Sequence, residues 1–363
     1  MKAAVMHARG ADLVVEDLDL EGPRSGEVAV RIVATGVCHS DLSGLRGSRE
    51  LRLPMVLGHE GAGVVESVGA NVIGVTPGDH VVLSAIARCG RCGACVDGRP
   101  WMCSVAGANI FSGTLFDGTT RLSLRGRQVH HWFAQSSFAE RAVVPEGAVV
   151  RVRADVALDK VALLACGVST GLGAVFNAAR VRVGESVVVI GCGGVGVSAI
   201  VGADLAHAWP IVAVDIADDK LEYARSLGAT HVVNASREDP VGRVRELTGG
   251  GPDHAFECVG NPRTLEQLVE IVRPGADGYV VGAAPPGTRF PFSTDGFIRN
   301  KHLQGVMQGN VNASVDIPRY VELYARGRLP LDRMVTRTYA LDEINAALGA
   351  LEGGTGRGVV VFG

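Results

Sequence analysis

From Ser186 to Ala203 the chain reads SVVVIGCGGVGVSAIVGA, 18 residues without a charge, and this stretch limits the available folds more than any other. Its length approaches that of a membrane-spanning helix. The glycines argue otherwise: Gly191, Gly193, Gly194 and Gly196 cluster where a helix would have to be continuous, and Asp204 follows at once. An apolar strand, a tight turn and a helix fit the pattern better. The alternation continues on both sides. LDKVALLACGVSTGLGAVFNAA reads as helical, then PIVAVD, HVVN, HAFECVG and GYVVGAA alternate with helical DDKLEYARSLGA and NPRTLEQLVEIV. Strands alternating with helices predict a doubly wound parallel sheet, so the fold class is α/β.

The first part of the chain has a different texture. Between Val28 and about Val150, short β-rich runs such as EVAVRIV, GAGVVESVG, DHVVLSAI and AERAVV are broken by Gly and Pro, which predicts an all-β, barrel-like domain. A length of 363 residues suits two domains of ordinary size. The tail, from about Lys301 to Gly363, can either return to the first domain or form a cap of its own. A formal net charge of −3 gives no reason to expect a nucleic-acid partner. The N-terminal MKAAVMHARGADLVVEDLDL has no uninterrupted apolar core of a secretory signal, and no membrane association is expected. A reducing cytoplasm is the expected setting. There the eight cysteines point to metal binding or catalysis rather than disulfides.

The glycine run has a chemical reading. After an apolar strand, the first glycine makes the turn, the second lets backbone approach a pyrophosphate, and the last permits close helix packing with the helix N-terminus toward the anion. Gly191, Gly193, Gly194, Val195 and Gly196 are therefore candidate coenzyme contacts. Asp215 ends the next predicted strand, where its carboxylate can accept the ribose hydroxyls of NAD and would repel the 2′-phosphate of NADP. The plainer alternative is a tight βα turn with Asp215 as a solvated strand end. Cys192 reads as a small filler and Cys258 as sheet packing.

The remaining thiols fall into two groups. In CGRCGACVDGRPWMC, Cys89, Cys92, Cys95 and Cys103 can wrap one tetrahedral zinc with four sulfurs. A ferredoxin-type cluster also starts with Cys-x-x-Cys-x-x-Cys, but its fourth cysteine comes sooner and precedes a proline. Here Ser104 follows Cys103. Elsewhere GVCHSDL supplies Cys38, His39, Ser40 and Asp41, LGHEGAG supplies His59 and Glu60, and ACGVSTG supplies Cys166. Each alone fits a structural pair. Together two cysteines and one histidine make the three-ligand set of a catalytic zinc, with a fourth position left for water or substrate.

These motifs, in this order and at these spacings over nearly the whole chain, resemble the zinc-containing medium-chain alcohol dehydrogenases. The resemblance implies a GroES-like catalytic domain (1–167, with a zinc lobe at about 86–105), an inserted Rossmann NAD-binding domain (168–300), and a C-terminal segment (301–363) completing the first. It implies two zinc ions per chain, NAD as coenzyme, and a homodimer. The implied reaction interconverts alcohols and aldehydes by hydride transfer from a zinc-bound alkoxide. Cys38, His59 and Cys166 would hold that zinc, Ser40 would take the alcohol proton, and Asp41 and Glu60 would orient the ligands. His39 and Arg357 are expected near phosphate, Lys220 near the adenosine ribose, and Thr170 beside the nicotinamide.

Two departures qualify this. Ser43 stands where many alcohol-oxidising members end their proton relay in histidine, and SVAGAN after Cys103 lacks the arginine of the glutathione-dependent formaldehyde branch. Ala85, Ala108, Trp132 and Phe133 are expected to line the pocket, which favours larger apolar primary alcohols. The alternatives are a thiol-dependent formaldehyde dehydrogenase of the same family and a non-catalytic NAD-binding zinc protein.

Overall fold

Strand and helix signals resolve into two units in the computed structural model, which describes residues 1–47 and 50–363. One unit comprises Met1–Cys166 together with Asn312–Gly363, the other Gly167–Val311.

In the second unit the uncharged stretch divides as its glycines require. Val187–Ile190 (β1) is a wholly buried strand, and helix Gly194–Leu205 begins after the turn. Ile211–Asp215 (β2), His231–Asn234 (β3), His254–Glu257 (β4), Asp277–Val280 (β5) and His302–Gly305 (β6) join β1 in a parallel sheet ordered β3-β2-β1-β4-β5-β6. That order reverses at β1, so a crevice opens outside the carboxyl ends of the strands, where dinucleotides bind in such sheets. Val188, Ile190, Val212, Val214 and Val233 fill the core with Leu268 and Ile271 of helix Pro262–Ile271. A correction follows for the 301 boundary: β6 pairs with β5 through Asp277↔His302, so residues 301–311 belong to this unit. A short strand that completes a sheet edge carries too little periodicity to be recognised in isolation.

The first unit is built from two antiparallel-rich sheets. Glu27–Gly36 is the hub of one, pairing with Gly61–Val68, Arg141–Pro145 and Arg357–Val361. The last pairing answers the question left by the tail: Val359 lies opposite Gly36, and the Val37 N–H donates to the Gly358 carbonyl at 3.0 Å. The closing strand thereby places Arg357 next to the Cys38 segment. The sulfur-rich lobe has a small buried core of Ile86, Cys103, Ala106 and Ile110, with Val105, Phe111 and Phe133 packed against it. Among the described residues no single helix is long and apolar enough to cross a membrane.

Candidate active site and metal centres

In the lobe, Cys89, Cys92, Cys95 and Cys103 bring their sulfurs within 4.8 Å of one another. Four sulfurs at about 2.3 Å from a tetrahedral zinc stand roughly 3.8 Å apart, so the donor set fits that ion with little adjustment. Backbone amides already point at the sulfurs: Cys92 N–H donates to Cys89 Sγ and Cys89 N–H to Cys103 Sγ, both at 3.3 Å. Such donors favour thiolate. The amide of Cys95 and then that of Ser104 draw the Cys92 thiol down to about 6, whereas burial pushes Cys95 up to about 12. Four sulfurs saturate the ion, leaving no place for substrate.

The second cluster forms from segments far apart in sequence. Cys38 caps helix His39–Leu45, His59 follows the short strand Met55–Val56, and Cys166 ends the turn Ala162–Ala165. Ligand atoms of Cys38, His59, Cys166 and Glu60 all lie within 4.8 Å of one another. The orientation of His59 is the sharpest test of fit. Its ring is fully buried, Nδ1 lies 2.9 Å from Asp41 Oδ1, and Nε2 is buried without a hydrogen-bond partner. With Nδ1 turned to the carboxylate, Nε2 is aimed at the two sulfurs, the orientation a metal-ligating imidazole takes. The hydrogen bond from Cys166 holds the Cys38 thiol well below its usual range, despite burial. Cys166 is pushed up by the same shared proton.

Asp41 is buried and collects donors from every side. Oδ1 receives Gly58 N–H (3.1 Å), His59 Nδ1 (2.9 Å) and Trp132 Nε1–H (2.9 Å), and Oδ2 receives Cys38 N–H (3.2 Å). Ser40 Oγ stands 3.8 Å from Cys38 Sγ and is half-buried, while His39 is exposed on the same helix. Glu60 lies closer to the metal ligands than an outer carboxylate would, since one of its oxygens belongs to the cluster itself. Burial pushes its carboxyl up against the pull of Arg357.

Arg357, expected near a phosphate, has a side chain 4% exposed that is ion-paired with Glu60 and donates to the Val37 carbonyl. The β-pairing of the chain's end beside Cys38 buries it, a long-range effect with no local signature. The pocket residues need revising. Phe133 is half-buried and stacks on His59 with ring centroids 4.5 Å apart, but Trp132 is 1% exposed and stands behind it, and Ala108 lies on the exposed side of the lobe helix. Neither the Trp132–Asp41 bond nor the Glu60–Arg357 pair could be found from sequence, because nothing at these spacings announces a contact.

In the second unit the glycine turn has the geometry its residues allow. Gly191 adopts φ 92°, a Cβ at Gly196 would collide with the Gly191 carbonyl oxygen, and Gly193 faces open space. Asp215 ends β2 and ties the turn in place: Oδ2 accepts from Cys192 N–H at 2.7 Å, and Oδ1 from Ile216 and Ala217 N–H. Gly194 and Val195 open the helix, and Lys220 lies near enough for its charge to act on Cys192, whose buried thiol is nonetheless pushed up. Thr170 is buried on helix Gly167–Gly173, which packs against helix Gly194–Leu205. Cys258 is likewise pushed up by burial.

A parallel nucleotide-type sheet, a β-rich unit holding a Cys/His/Glu cluster, and a four-cysteine lobe define a zinc-dependent dehydrogenase. Comparison with known proteins gives the same class. Residues 24–154 match the alcohol dehydrogenase GroES-like domain and residues 194–326 the zinc-binding dehydrogenase family. The chain is 37% identical over 372 residues to an S-(hydroxymethyl)glutathione dehydrogenase of Paracoccus denitrificans, covering 99% of each. Among solved structures, benzyl alcohol dehydrogenase from Acinetobacter calcoaceticus is 40% identical with a TM-score of 0.95, covering 100% of this chain and 99% of that one. An alcohol dehydrogenase zinc-binding domain protein from Burkholderia ambifaria is 40% identical with a TM-score of 0.96, covering 100% and 98%. The chain belongs to the zinc-containing medium-chain alcohol dehydrogenase family. It is an NAD-dependent oxidoreductase of the alcohol dehydrogenase type, acting on small-molecule alcohols and aldehydes, with two zinc ions per chain.

Proposed function

We propose that this enzyme oxidises aromatic and other large apolar primary alcohols to aldehydes, with Cys38, His59 and Cys166 holding the catalytic zinc. The observation that carries the substrate class is the aromatic wall: Phe133 stacks on His59, and Phe111 and Trp132 meet Phe133 at 5.6 and 4.9 Å between centroids. The benzyl alcohol dehydrogenase of A. calcoaceticus supports the same class.

Zinc supplies Lewis-acid polarisation of the substrate oxygen, and NAD supplies the hydride acceptor. The chain's own groups do the rest. Asp41 fixes the His59 ring plane and keeps Nε2 aimed at the ligand cluster. Ser40 Oγ accepts the proton of the substrate hydroxyl and passes its own outward to water, since Ser43 offers no imidazole to extend the relay. Arg357 balances the charge that Glu60 brings to a site already holding two thiols. Phe133 supplies apolar contact to the substrate's body and keeps water from that side.

Benzyl alcohol is expected to exceed ethanol in kcat/KM by about 10²-fold, since burying roughly 100 Å² more apolar surface is worth about 2.5 kcal/mol. Initial rates of NADH formation across ethanol, benzyl alcohol and S-(hydroxymethyl)glutathione read this directly. Preference for the glutathione adduct would replace the aromatic reading with that named for the P. denitrificans relative. Gly191, Gly193, Gly194, Val195 and Gly196 are assigned to the coenzyme pyrophosphate, His39 to its phosphate, Asp215 and Lys220 to its ribose, and Thr170 to its nicotinamide. Asp215→Ala is then expected to raise the KM for NAD about 10- to 100-fold, the worth of a charge-assisted hydrogen bond of about 1.5–3 kcal/mol, and to erode selection against NADP. Equal KM values in the variant and the parent enzyme would remove Asp215 from the ribose site. A homodimer is the assembly proposed from the long 104–137 segment, readable by light scattering. Eight cysteines, six of them in the two ligand clusters, favour a reducing compartment.

A further inference from the structure

We infer that Trp132 is a positioning residue for the catalytic metal site, acting through Asp41 on His59. The inference rests on the assignment of His59 as a zinc ligand. A tryptophan this deeply buried requires a partner for its indole N–H, and the partner here is the carboxylate oxygen that also receives His59 Nδ1. Phenylalanine would fill most of the same space without that donor. The indole is also fixed from its other end. The rim of its six-membered ring fits where a Cβ at Gly44 would stand 3.0 Å from Cη2, so the helix carrying Asp41 is notched to receive it. Its backbone N–H donates to Ser136 Oγ (3.1 Å), and Ser136 in turn donates to the Val56 carbonyl at 2.9 Å, on the segment leading to His59.

Trp132 therefore touches both the carboxylate that supports His59 and Phe133, the ring stacked on His59. The position of the ligand and the shape of the substrate wall are set by one side chain. Removing the indole donor leaves Asp41 with the two backbone donors and the imidazole, and frees it to shift with the ring it orients. Groups that hold a ligand's partner in this way typically contribute about 10- to 100-fold to metal retention or activity.

The test uses the zinc-loaded enzyme and Trp132→Phe, with the rate of zinc loss from the catalytic site to a chelator as the readout. Loss is expected to quicken about tenfold, and the visible ligand-field bands to shift when that site is loaded with cobalt. Phe111→Leu loosens the same aromatic cluster without touching the hydrogen bond, and is expected to leave the rate within about twofold of the parent. In an Asp41→Ala background, Trp132→Phe is expected to add nothing. An unchanged or slower rate with an unshifted cobalt spectrum overturns the inference, as does an equal effect of Phe111→Leu. His59→Ala in parallel separates the two levels: if it too retains both zinc ions, the ligand assignment itself is wrong.

Discussion

His59→Ala is expected to lower kcat/KM for alcohol oxidation by about 10³-fold or more, since Lewis-acid stabilisation of the developing charge is worth several kcal/mol and each 1.36 kcal/mol is tenfold. The structural reason lies in one atom. Nε2 is buried, has no hydrogen-bond partner, and faces the sulfurs of Cys38 and Cys166. A buried polar atom left unpaired is costly, and the protein retains it because a metal ion is its partner. The variant is expected to keep the lobe zinc and lose the other, so elemental analysis should return one zinc per chain instead of two. Its far-UV circular dichroism should match the parent, because the core around Met55, Leu57 and Trp132 is otherwise untouched. Retained activity with one zinc would place the chemistry elsewhere.

Cys103→Ser is expected to affect stability most. Cys103 is the one lobe cysteine that is buried, and it caps helix Ser104–Asn109 by accepting from Ala106 N–H at 3.5 Å. The lobe's own apolar core is too small to hold the segment without an ion, so loss of one ligand removes the metal and the fold of the lobe together. A loss of about 3 kcal/mol corresponds to a fall in Tm of roughly 10 °C for a chain unit of this size. Differential scanning calorimetry reads the shift, and limited tryptic proteolysis should open a new cut after Arg91. Catalysis per folded molecule should fall far less than in His59→Ala, because the four sulfurs leave no site for substrate.

The contrast between these two variants also marks how much the sequence discloses. The lobe was legible because its ligands are close neighbours whose spacing alone limits what they can bind. The glycine turn was legible because strand, turn, helix and Asp215 follow one another along the chain. The three scattered ligands were legible only as a set, through resemblance, since each of GVCHSDL, LGHEGAG and ACGVSTG admits an ordinary structural reading. The Glu60 partner of Arg357 was not legible, for the same physical reason. Its surroundings are created by the return of the last strand to Glu27–Gly36, so a residue that looks like a surface cation at the end of the chain becomes the buried counterion of Glu60. Trp132 looked like a pocket wall because its position along the chain is right. What the sequence could not convey is that the ring turns its N–H inward to Asp41 and leaves the exposed face to Phe133.

In the function proposed above, alcohol oxidation takes place at the Cys38, His59 and Cys166 cluster and requires the zinc held there. The most direct test measures NADH formation from benzyl alcohol and zinc content in the same samples of parent enzyme and Cys166→Ser. The parent is expected to hold two zinc ions and form NADH rapidly, and the variant to hold one zinc and react about 10³-fold more slowly. A Cys166→Ser protein that has lost this zinc yet oxidises benzyl alcohol at the parent rate would contradict this proposal.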